Sequence, residues 1–178
     1  MPKLKLLILD ANVVIFLFEN DLWQQVLARC EIHLSRIVAE DEVRYYHGKE
    51  ADKVIDLSND VTQGRVHLFD LTPTDLKTFV DQFDPLYLDR LDPGESESLA
   101  FLVIAKDEYL ISSGDAIVYR VLGNLNRGHQ GISMEEVLQQ IGMTRSKIPR
   151  QYSKQFREAT TKEGEQDSIR GRGMKPRK

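Results

Sequence analysis

The segment from Leu4 to Leu9 reads LKLLIL, apolar at every position but Lys5, and stops at Asp10. A short run with no polar alternation is the pattern of a strand covered on both faces, which occurs in parallel sheets flanked by helices. The chain is therefore expected to be α/β, with a central strand that ends in a carboxylate. Asn12 to about Arg29 follows as a helix, with Val13, Phe16, Leu17, Leu22, Val26 and Leu27 on one broad apolar face. Ile32–Ser35 reads as a second strand and Ile37–Tyr46 as a helix.

The alternation continues to about residue 141. Lys53–Leu57 and Arg65–Leu71 read as strand-like pieces around the turn-rich SNDVTQG, and are expected to pair as a hairpin. Pro73 and Thr74 open a helix through Phe83. Pro93–Lys106 forms another, apolar on all sides and so buried. Tyr109–Ser112 is a strand, Asp115–Leu122 a helix, Gly131–Ser133 a short last strand and Met134–Ile141 a closing helix. At 178 residues the chain fits one compact domain, over 1–144, with an extension over 145–178.

Charge divides the chain at the same point. From Arg145 onward eleven basic residues face four acidic ones, a net of +7, which leaves −11 on the part before it. Beyond Thr160 there are no aromatics, and only Ile169 and Met174 are sizeable apolar groups, so the extension is expected to be a largely flexible basic tail. Arg145, Lys147, Arg150, Lys154, Arg170 and Arg172 are its candidates for neutralising nucleic-acid phosphates.

Several classes are excluded or disfavoured. The single cysteine, Cys30, cannot close an intramolecular disulfide, which suits a reducing cytoplasm, and the four histidines offer no zinc-ligand spacing. The apolar runs near the N-terminus fall short of the roughly 20 residues of a membrane span, and no small-residue cleavage site follows them. A cytoplasmic protein that binds no membrane is expected.

In an α/β layer, strand C-termini and helix N-termini share the edge where ligands bind. Asp10 ends the first strand, Asp115 follows the 109–112 strand, Glu95 opens a helix, and Glu42 lies in the helix after the second strand. Each has a local alternative as a helix cap. Asp92, Pro93 and Glu95 in particular make a variant capping box. Glu42 differs, because it falls on the apolar stripe of Val38, Tyr45 and Tyr46 and needs a partner there. Carboxylates gathered at one edge suit a hard divalent cation.

LLILDANVV, SRIVAEDEV, DPGESESLAFL and ISSGDAIVYRVL, in that order over about residues 4–141, resemble the four acidic motifs of the PIN-domain nucleases, in their VapC-like single-domain form. The resemblance implies a three-layer α/β/α sandwich with a mainly parallel sheet. It also implies Mg²⁺ or Mn²⁺ dependence and endonucleolytic hydrolysis of RNA by metal-activated water, leaving 5′-phosphate and 3′-hydroxyl ends. Asp10, Glu42, Glu95 and Asp115 match the catalytic acids; Asp10, Glu95 and Asp115 would be the metal ligands, with Asn12 and Ser113 in support. Asp41 competes with Glu42 as the second acid, and Glu97 with Glu95. Relatives include toxins silenced by an antitoxin protein and enzymes that process RNA, and they commonly form homodimers. Two readings stand beside this one: a non-catalytic binding module for RNA or protein, and a haloacid-dehalogenase-type phosphohydrolase using Asp10 as nucleophile. The second lacks the acid two residues on, where Asn12 stands.

Overall fold

The computed structural model describes residues 4–145 and 147–176; Arg177 and Lys178, counted in the basic extension, lie outside the described residues. The strands are β1 (Leu4–Leu9), β2 (Cys30–Ser35), β3 (Tyr45–His47), β4 (Asp52–Val54), β5 (Val66–Phe69) and β6 (Leu110–Ser112). The α-helices are α1 (Ala11–Glu19), α2 (Trp23–Arg29), α3 (Ser58–Thr62), α4 (Pro73–Val80), α5 (Pro93–Ile104), α6 (Ala116–Asn124), α7 (Met134–Gln140) and α8 (Lys154–Ile169).

A four-stranded parallel sheet runs in the order β5-β2-β1-β6. Successive β1 residues serve opposite faces. Leu9 joins the core formed with α1, α2 and α7, while Ile8 joins the core formed with α4, α5 and α6. The chain moves from β1 to β2 and β5 on one side and returns to β6 on the other. β1 and β6 therefore flank the reversal of direction, the place where open α/β sheets leave a crevice beyond their strand C-termini. Leu9 pairs with Ser112 there, and the Asp10 amide donates to the Ser112 carbonyl at 3.1 Å.

Four expected elements take a different form. The helix expected over 12–29 breaks in two. Asp21 adopts φ 56°, and the Leu22 amide donates to the Leu17 carbonyl while the Asp21 amide donates to that of Phe18, a Schellman closure with Asp21 in the left-handed position. The helix expected over 37–46 is a single π turn, Val38–Glu42, closed by the Val43 amide on the Val38 carbonyl at 2.9 Å, and the chain then extends into β3. β4 pairs antiparallel with β3, and β5 joins the main sheet beside β2, so the 53–57 and 65–71 pieces form no hairpin. Around 131–133 there is one parallel bridge, Gly131 with Ile111, in place of a strand.

The largest correction concerns the extension, which was expected to be flexible. Lys154–Ile169 is a helix with Ser153 as its N-cap, and it crosses α6 at close range. Thr160, Thr161, Gly164 and Asp167 are buried on it. A Cβ on Gly164 would lie 1.9 Å from the Arg120 carbonyl oxygen, so the two backbones approach as only glycine permits. Asp167, 4% exposed, accepts from Arg120 Nε at 2.6 Å and from the Tyr87 hydroxyl at 3.0 Å. Large apolar side chains are few in this segment. Here small residues permit backbone contact, dispersion accumulates along it, and an ion pair anchors the end. Further on, Met174 bridges Phe83 and the Lys175 amide donates to the Gln82 carbonyl. No described helix is long and apolar enough to cross a membrane.

The Gly164 contact yields a direct test. Gly164→Ala should lower stability by about 1–3 kcal/mol, as overpacking does, and drop Tm by several degrees, with earlier proteolysis in 154–169. An unchanged melt and digestion pattern would show that α8 is not held by this crossing.

Candidate metal centre

Asp10 is set by the end of β1 and the start of α1. It is the N-cap of α1, 2% exposed, and both its oxygens are engaged: Oδ1 accepts from the Ala11 amide at 2.6 Å and Oδ2 from the Ser113 hydroxyl at 2.9 Å. Ser113 follows β6 and is fully buried. Its hydroxyl oxygen also accepts from the Asp115 amide at 2.9 Å, so one side chain links the two strand ends. Tyr119 holds Ser113 from behind, its hydroxyl accepting from the Ser113 amide at 3.1 Å and lying 2.9 Å from the Ser113 carbonyl and 3.0 Å from that of Ile132.

The capping box read from the sequence is present. Asp92 Oδ1 accepts from the Glu95 amide at 2.9 Å, and Glu95 Oε2 accepts from the Asp92 amide at 3.2 Å. Capping occupies only half of the Glu95 carboxyl. Its other oxygen, Oε1, is buried without a hydrogen-bond partner, on a residue 2% exposed. Glu42 meets this group from the π turn, with Oε1 accepting from the Gly94 amide at 2.9 Å and Oε2 buried without a hydrogen-bond partner. Gly94 leaves room for that approach, since a Cβ there would lie 2.3 Å from Glu42 Oε2.

Asp10, Asp92 and Glu95 each offer a carboxylate oxygen, all within 4.8 Å of one another. This set differs from the three ligands read from the sequence. Asp92 takes part where only a cap was expected, and Asp115 is outside the set. Asp115 caps α6 through Oδ1 to the Ile117 amide at 3.2 Å, yet stands near enough for its charge to act on Glu95. Glu97 is 6% exposed, with Oε1 accepting from the Leu71 amide at 3.2 Å and Oε2 without a hydrogen-bond partner. Asp41 is exposed and sits 3.8 Å from Arg44. Asn12 is exposed, and its backbone carbonyl oxygen accepts from the Tyr152 hydroxyl at 3.1 Å.

Burial dominates the electrostatics. It raises Asp10 to about 7, against the lowering effect of the Ser113 and Ala11 hydrogen bonds, with Asp92 and Glu42 adding repulsion. It raises Glu95 to about 9, with repulsion from Asp10, Asp92 and Asp115. Glu42 is raised too, by burial first, against the Gly94 hydrogen bond and with Asp92, Asp41 and Glu97 repelling it. Neighbouring buried acids are expensive to ionise without a cation to offset their charge. The donor set is all oxygen, and one buried lone donor points to a hard cation as the group that fits.

The basic candidates separate. Arg145 donates to Asn20 Oδ1 at 2.7 Å, at the C-cap of α1, about 13 Å of helix from Asp10. Arg172 lies by Asn124, whose side-chain amide donates to its carbonyl, at the end of α6 away from Asp115. Arg170 is exposed past the end of α8. Lys147, Arg150 and Lys154 are exposed along the chain that passes Tyr152, and Lys154 reaches Glu158 at 3.7 Å. Sequence reasoning missed Tyr119 and Tyr152. An aromatic in a helix or turn carries no signal of which carbonyl its hydroxyl will find.

No family model matches the chain, and none of the curated proteins or solved structures searched matches it either.

Raised carboxyl groups stabilise the protonated native state, fully below their unfolded values near 4 and progressively less as pH climbs through 7 and 9. In the absence of divalent ions Tm should therefore fall between pH 5.5 and 9, and Glu95→Gln should flatten the upper part of that fall. Scanning fluorimetry across the range checks this; a Tm that is level or rises in the wild type would contradict the burial assigned to these acids.

Proposed function

We propose that the chain is a PIN-type, Mg²⁺- or Mn²⁺-dependent endoribonuclease. The observation that carries the reading is the convergence of Asp10, Asp92 and Glu95 at the strand reversal, with an unpaired buried oxygen on Glu95. Asp10, Asp92 and Glu95 would hold the cation, with Asp115 and Glu42 acting on the same pocket by charge. When bound, a divalent ion activates water and offsets charge on a phosphodiester.

The chain's own groups then have defined tasks. Ser113 favours the ionised form of Asp10 against the effect of burial and aims the carboxylate by donating to Oδ2, and the Asp92–Glu95 capping box orients the carboxyls from the other side. The acids repel a polyanion when no metal is present, so Lys147, Arg150 and Lys154 are proposed to draw the RNA strand toward the edge. A covalent route through Asp10 is disfavoured, because both its oxygens accept hydrogen bonds and the position two residues on is an exposed Asn12. A toxin role with a protein antitoxin fits the same chemistry.

Asp10→Asn should leave a folded protein whose Mg²⁺-dependent cleavage of single-stranded RNA is lower by more than about 100-fold, the upper range for losing even an outer-shell partner. Asp92→Asn should lower it by about 10–100-fold. Cleavage at the wild-type rate by folded Asp10→Asn protein would remove this mechanism. Growth arrest on expression of the wild type, absent with Asp10→Asn, would support the toxin role.

A further inference from the structure

One residue from the far end of the chain closes the acidic edge. Tyr152 lies in the 3₁₀ turn Arg150–Tyr152 and is 7% exposed. Its hydroxyl donates to the Asn12 carbonyl at 3.1 Å, in the first turn of α1, two residues after Asp10. Its ring centroid is 4.4 Å from that of Phe16 on the same helix. The ring also packs on Gly114, where an added Cβ would meet it at 2.8 Å. Gly114 stands between Ser113, which bonds Asp10, and Asp115. A single side chain thus touches the turn that follows Asp10 and the Ser113–Asp115 turn that bonds it, 140 residues from the first in sequence.

Tyr152 is delivered on a braced segment. Ser153 caps α8 by accepting from the Phe156 amide at 3.2 Å, and the Lys154 amide donates to Glu135 Oε2 at 2.6 Å. Arg157 forks onto Glu136 at 2.7 and 2.9 Å, which ties the start of α8 to the first turn of α7.

We propose that Tyr152 is a positioning residue for the metal centre, clamping the first turn of α1 against the Ser113–Asp115 turn so that the C-terminal arm is part of the site. The inference rests on the metal-binding reading above. Mg²⁺ and Mn²⁺ sites depend on oxygen positions held closely, and partners behind the ligands commonly govern affinity by about 10–100-fold. Removal of the hydroxyl frees the α1 turn, and removal of the ring frees the Gly114 turn as well.

The test uses the full chain and Mn²⁺ alone, titrated by calorimetry at a temperature where every variant is folded, with Tm measured in parallel. Tyr152→Leu should weaken Mn²⁺ binding by about 10–100-fold, and Tyr152→Phe by a smaller factor. Val66→Ala, in the core beneath β5 and away from the acids, should lower Tm and leave Mn²⁺ affinity unchanged. Tyr152→Phe keeps the ring and carries the test if Tyr152→Leu does not fold. Tyr152 variants that lose Tm but bind Mn²⁺ as the wild type does would make the residue merely structural and overturn the proposal. A wild type that binds no Mn²⁺ would overturn the metal reading itself, so the two failures are told apart.

Discussion

Burial of neighbouring carboxyls beside the junction of β1 and β6, with the repulsion between them, is the constraint around which this molecule is arranged. Asp10 and Glu95 are each 2% exposed, and burial raises both well above the ordinary carboxylate range. A fold that merely needed caps at those helix starts could expose them to water at no cost. Instead the chain surrounds them with donors: the Ala11 amide and Ser113 hydroxyl on Asp10, the Asp92 amide on Glu95, the Gly94 amide on Glu42. Each donor meets one oxygen, and the remaining oxygens of Glu95 and Glu42 stay buried without hydrogen-bond partners. Repulsion and partial satisfaction together describe a pocket that could take a divalent cation in exchange for protons.

Capping and metal binding are usually weighed as rival explanations for an acid at a helix start. Here the residues of the cap are also those of the proposed metal set. Glu95 uses Oε2 to complete the capping box and leaves Oε1 buried without a hydrogen-bond partner, and Asp92 uses Oδ1 for the same box while offering a carboxylate oxygen within 4.8 Å of those of Asp10 and Glu95. The cap is what fixes the geometry of the acids. It also explains why Asp92 was legible in the sequence as a cap and not as a member of the site: a single carboxylate with a complete local explanation gives no reason to seek a second one.

Local patterns were readable, and long-range ones were less so. LKLLIL gave the central strand because a strand buried on both faces has no polar alternation to confuse it, and Asp10 and Ser113 came to one edge because the strand-to-helix turns place them there. The break at Asp21 was missed because the apolar spacing continues across it, while the turn depends on one left-handed residue that is not glycine. The π turn was missed for a similar reason: Val38 and Glu42 keep helical spacing over a single turn. The C-terminal arm was misjudged because its packing relies on Gly164 against α6 and on the Arg120–Asp167 pair, neither of which raises local hydrophobicity. Tertiary closeness bought by small residues leaves little trace in composition.

The central claim is that the acidic cluster exchanges protons for a divalent ion. Calorimetric titration of the full chain with Mn²⁺ near pH 7.5, repeated in two buffers of different ionisation enthalpy, reads this directly. The account expects saturable binding whose heat depends on the buffer, because Asp10 and Glu95 release protons as the ion enters, with binding and proton release both reduced in Glu95→Gln. Absence of binding, or binding with no proton release and no effect of Glu95→Gln, would contradict it.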